Sequence, residues 1–75
     1  ISYQVYVPGS VRLELFDVLG QRVRRLVDSP FQDLGAWTAE WDGRDDSGLP
    51  VASGVYFAHL KANGRASGAK LAVRR

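Results

Sequence analysis

A chain of 75 residues, 45% hydrophobic and 24% charged, has the balance of a soluble globular domain and room for one small core, but not for a second domain or a deep cleft. The lack of cysteine excludes disulfides, thiolate metal sites and a cysteine nucleophile, and no apolar run approaches the ~20 residues of a membrane-spanning helix. The formal charge of +2 hides an asymmetry: residues 28–46 hold Asp28, Asp33, Glu40, Asp42, Asp45 and Asp46 against Arg44 alone, whereas Lys61, Arg65, Lys70, Arg74 and Arg75 follow with no acid among them.

Taken in chain order, the elements are short strands separated by turn chemistry. Ile1, Tyr3, Val5 and Val7 alternate with Ser2, Gln4 and Tyr6, the period-two pattern of a half-buried strand, which "PGS" at 8–10 breaks. Val11, Leu13 and Leu15 form the apolar face of a second strand, opposite Arg12, Glu14 and Phe16. "DVLGQ" at 17–21 is a turn, with Gly20 as its left-handed residue because glycine takes positive φ without steric cost. The run "QRVRRLV" at 21–27 fits a third strand if a bulge shifts its phase between Val23 and Leu26; a lone uncapped helix of that length is the weaker alternative.

"DSPFQDLG" at 28–35 has loop composition. Trp37, Ala39 and Trp41 then share one face of a fourth strand, and two tryptophans so placed are most simply core. Residues 54–62 form a fifth strand with Tyr56, Ala58 and Leu60 inward. "NG" at 63–64 is a type I′ hairpin signal, and a sixth strand follows with Leu71 and Val73 inward. Turns at this spacing, with no helix required, predict an all-β fold: a small antiparallel β-sandwich over residues 1–75.

Few residues offer chemistry. Asp42, Asp45 and Asp46 are the candidate carboxylates, either for calcium or for capping a turn. Arg44 stands where a calcium loop needs a central ligand, and Asp side chains readily accept from backbone N–H groups two residues on. A catalytic aspartate pair would need a cleft that separates its two pKa values, which a sandwich of this size is poorly able to build. His59 is the single histidine and has no co-ligand to share a metal. No nucleophile-elbow or phosphate-cradling pattern occurs. The arginines of "RVRR" read as a solvated strand face, and the six mid-chain acids oppose a nucleic-acid partner. Phe16, Phe31, Val55 and Phe57 are apolar residues the inward pattern does not use. They either lie under a second sheet or form a docking surface for another domain or subunit.

The order of these motifs resembles a known family. "VRLELFDVLGQRVRRLV", then "WDGRDDSGLPVASGVYFAHLKA" and a lysine-bearing last strand, are similar to the Ig-like domain of flagellar hook-capping proteins and to the C-terminal sorting domains of type IX (Por) secretion substrates. The matching positions are Asp17, Gly20, Val23, Leu26, Trp41, Asp42, Gly43, Asp45, Gly48, Ser53, Gly54, Val55, Tyr56, Leu60 and Lys70. The resemblance implies a small Ig-like antiparallel β-sandwich of six to seven strands, non-catalytic and without cofactor, at the C-terminal end of a longer exported bacterial protein. The lack of any methionine agrees with a chain that is processed or cut from a longer one.

On this reading Trp37, Trp41, Asp42, Gly43, Gly48, Gly54, Tyr56 and Leu60 are structural, and Lys70, Arg74 and Arg75 face the sorting machinery or another partner. The expected partners are proteins: an upstream domain of the same polypeptide, a secretion apparatus, or like subunits. The expected location is extracellular or at the cell surface. The alternative is a structural module that assembles through its sheet edges and exposed apolar face.

Overall fold

In a computed structural model, which describes residues 1–74, six strands and no helix account for the regular structure. They are β1 (Ser2–Val5), β2 (Gly9–Phe16), β3 (Arg22–Gln32), β4 (Gly35–Thr38), β5 (Gly54–Ala62) and β6 (Arg65–Val73). β1 and β4 form a two-stranded sheet; the other sheet has the order β3-β2-β5-β6, and every pairing is antiparallel. The two layers make the expected all-β Ig-like sandwich.

The core follows from strand alternation. Leu13 and Leu15 on β2 and Ala58 on β5 are buried at its centre; Ile1, just before β1, and Tyr3 on β1 pack on them, as do Val23, Leu26, Trp41, Leu60 and Leu71. Val5, Val11, Val51 and Tyr56 are also buried. Each large aliphatic or aromatic side chain so removed from water contributes about 1.5–3 kcal/mol. The hairpin between β5 and β6 turns on Asn63 and Gly64 with φ of 52° and 77°, the double positive φ that a type I′ turn requires.

Four expectations change. Residues 28–32 are the second half of β3 and not a loop, with Pro30 and all. Proline is tolerated there because β3 is an edge strand, where a missing N–H breaks no ladder. The phase shift expected between Val23 and Leu26 is one of three irregularities in the β2–β3 register, falling between Gly9 and Val11, Leu13 and Glu14, and Leu15 and Phe16. At each, β3 spends one more residue than β2, which is how an 11-residue strand pairs with an 8-residue one. The fourth strand is shorter than its pattern suggests: β4 ends at Thr38, and Trp41 stands beyond it. At the other end Val7 lies past β1 and is 53% exposed, while Gly9 and Ser10 already belong to β2.

Candidate functional site

Two regions qualify as candidates: the acidic corner at residues 41–51, and the outer face of the large sheet with its free edge. The corner begins with Trp41. Its ring meets Tyr56 edge-on at 5.5 Å between centroids, and its Nε1 donates to the carbonyl of Arg44 at 2.9 Å. Tyr56 in turn donates its hydroxyl to the carbonyl of Ala52 at 2.6 Å. The pair therefore clamps both ends of the corner to the core. Gly43 and Gly48 sit at φ of 75° and 87°, and Arg44 bridges to Pro50 as an isolated antiparallel pair.

The three aspartates do not converge. Asp42 Oδ1 accepts from the backbone N–H of Arg44 (3.1 Å) and from Arg24 Nη1 (3.4 Å). Asp45 Oδ1 accepts from the N–H groups of Ser47 (2.9 Å) and Leu49 (3.0 Å). Asp46 Oδ1 accepts from the N–H of Arg25 (2.9 Å), and its Oδ2 lies 3.5 Å from Arg22 Nε. Each carboxylate is thus aimed at its own backbone donors or arginine, and among the described residues no group of three acids or histidines has the spacing to hold a metal ion. The geometry fits the turn-capping reading.

A structural duplication lies in this corner. At 45–49 the N–H of Asp45 donates to Leu49 O, that of Gly48 to Asp45 O, and Asp45 Oδ1 collects the N–H groups of Ser47 and Leu49. At 17–21 the same four bonds recur: Asp17 N–H to Gln21 O, Gly20 N–H to Asp17 O, and Leu19 and Gln21 N–H to Asp17 Oδ1. Gly20 and Gly48 take nearly equal φ, 80° and 87°. Asp-x-x-Gly-x is therefore one turn design used twice, and the shared spacing of "DVLGQ" and "DDSGL" was the sequence signal for it.

Sequence reasoning did not anticipate Arg24. It pairs with Leu15 between the irregularities at Leu26 and Val23, and its Nη1 reaches the corner, donating to Arg44 O (3.2 Å), Asp45 O (3.4 Å) and Asp42. Together with the bond from Asp46 N–H to Val23 O (2.9 Å), it straps the corner along the β3 edge.

The outer face of the large sheet reads as rows across β3, β2, β5 and β6: Arg22–Phe16–Phe57–Lys70, Arg25–Glu14–His59–Gly68 and Asp28–Arg12–Lys61–Ala66. Its β3–β2 half is a lattice of ion pairs. Glu14, whose side chain is only 15% exposed, lies 3.3 Å from both Arg22 and Arg25, and Asp28 approaches Arg25 and Arg12 at 3.6 and 3.7 Å. Among the described residues the β5–β6 half has no such pairing. There Phe16 meets His59 edge-on at 6.1 Å, and Phe16, Phe57, His59, Gly68 and Lys70 line a shallow open hollow. Phe57, Val55 and Phe31 are 41%, 39% and 60% exposed, so the second sheet does not cover them.

Trp37 is half-buried and donates Nε1 to Asp33 O at 2.9 Å; Gly54 opens β5, and Leu60 faces the core half-buried. Lys70 and Arg74 are exposed, on and just beyond β6, and Arg75 lies outside the described residues.

A family model described as "FlgD Ig-like domain" matches residues 6–66. Among solved structures, the crystal structure of FlgD from P. aeruginosa is similar at a TM-score of 0.65 and 27% identity, over 92% of this chain. This chain spans about half of that one, 54%. No curated protein matches the sequence. With four-fifths of its length under the family model and its sandwich superposable on a member's, the chain belongs to the FlgD Ig-like domain family.

Proposed function

We propose that this chain is a non-catalytic structural module of a flagellar hook-capping type of assembly, acting outside the cytoplasm by docking onto neighbouring proteins. The observation that carries the reading is the family match across residues 6–66, reinforced by the likeness to FlgD. The site geometry supports it: the acidic corner is occupied with its own backbone and arginines, while the apolar residues and cations of the β5–β6 half are left for an external partner.

Sorting by a secretion apparatus is the second reading. It rests on exposed Lys70 and Arg74, which take part in no ion pair among the described residues, but the comparisons point to the hook protein and to no sorting domain. One experiment separates the two. In the parent polypeptide, residues 1–75 are exchanged for an unrelated β-sandwich of similar size, and export and incorporation into the assembly are scored separately. Normal export with lost incorporation is expected; lost export would support sorting, and unimpaired incorporation would refute the assembly reading.

A further inference from the structure

The two edges of the large sheet are treated differently. On β3, the acidic corner covers residues 23–25 through Asp46 N–H to Val23 O and Arg25 N–H to Asp46 Oδ1, and Pro30 has no N–H to offer. No described residue pairs with the far side of β6. Because Ala62 and Arg65 flank the two-residue turn as a hydrogen-bonded pair, antiparallel alternation points the N–H and C=O of Ala66, Gly68, Lys70 and Ala72 away from β5. Lys70 apart, these residues have the smallest side chains, so another backbone can come close.

Two further features bear on the occupant. Beneath this edge, between β1 and β6, a cavity of about 420 Å³ is lined by Gln4, Tyr6, Val7, Leu60, Ala62 and Ser67. Tyr6 is 80% exposed there, in a position to cover an inserted side chain. The charge is one-sided: every ion pair among the described residues lies on β2, β3 or the acidic corner, and Lys61, Arg65 and Lys70 take part in none. A second copy's β6 would set like charges against them, which disfavours self-pairing.

We propose that β6 is the receiving edge for one extended, acidic segment of a partner protein, which adds as a fifth strand to the large sheet. Main-chain bonds to Ala66, Gly68, Lys70 and Ala72 hold the segment. Carboxylates reach Lys61, Arg65 and Lys70, and alternate side chains enter the groove beside Tyr6. The inference rests on the docking reading above only in that it presumes a protein partner.

The test uses the 75-residue chain, a short synthetic peptide alternating Val and Glu, and its counterpart alternating Val and Lys. Amide exchange followed by NMR should slow at Ala66, Gly68, Lys70 and Ala72 with the Val–Glu peptide, less so as salt rises, and not with the Val–Lys peptide. Lys70→Glu should weaken binding about tenfold. Ala66→Pro, which removes an outward N–H without touching the β5–β6 ladder, should abolish it. Equal binding of the two peptides, protection on β1 in place of β6, or no binding of the Val–Glu peptide overturns the proposal. The docking reading survives those results, because the domain exchange tests it independently.

Discussion

Replacing Asp45 by alanine tests whether the acidic corner is a structural turn. The substitution removes one carboxylate oxygen that accepts from two backbone N–H groups, at 2.9 and 3.0 Å. Loss of an equivalent side-chain cap costs about 1 kcal/mol, within a range of roughly 0.5–2. The twin substitution Asp17→Ala removes the same two bonds from a local hairpin turn and should cost that amount alone. At Asp45 the turn also presents three long-range bonds to β3: Asp46 N–H to Val23 O, Arg25 N–H to Asp46 Oδ1, and Arg24 Nη1 to Asp45 O. Loosening them adds about 1 kcal/mol, for a total of about 2.

A domain of this size has roughly 4–11 kcal/mol of stability, so both variants stay folded. With a urea m-value of about 1 kcal/mol/M, the unfolding midpoint should fall by about 1 M for Asp17→Ala and about 2 M for Asp45→Ala. Asp45→Asn keeps an oxygen in place and should lose less than half as much. An asparagine variant as unstable as the alanine one would refute the hydrogen-bond account, and equal losses at Asp17 and Asp45 would refute the role assigned to the long-range strap.

Other outcomes follow from the same geometry. Gly48→Ala forces a Cβ into φ of 87° and should cost about 1 kcal/mol by equilibrium denaturation, although nothing crowds that position. Millimolar calcium should leave the thermal midpoint unchanged, since Asp42, Asp45 and Asp46 point to separate partners; a rise that grows with calcium concentration would show a site at the corner. Trp41→Phe should lose about 1 kcal/mol through the bond to Arg44 O, and Trp41→Ala about 3–5 kcal/mol as the packing on Tyr56 goes too, with the ratio of the two read from urea melts. Glu14→Gln should cost about 1 kcal/mol at low salt and less at high salt; a salt-independent loss would assign its role to packing.

The fold class, the inward faces of β2 and β5 and the turns at Gly20 and Asn63-Gly64 were legible in the residues alone, because these depend on local chemistry. Period-two alternation placed Leu13, Leu15, Tyr56 and Ala58 in the core, and Asn63-Gly64 and Gly20 announced their own backbone conformations. Residues 28–32 escaped that logic: Pro30 reads as a strand breaker until tertiary structure shows β3 to be an edge. Arg24 escaped it as well, since the irregularities at Leu26 and Val23 decide which arginine shares a face with Leu15, and a register against a partner strand is not encoded in one strand's pattern. The aspartates of the corner were legible as residues that either cap a turn or bind an ion. The choice between those roles rests on which donors surround each oxygen, and only the packing of the corner against β3 supplies them. The same packing closes one edge of the large sheet and leaves β6 open.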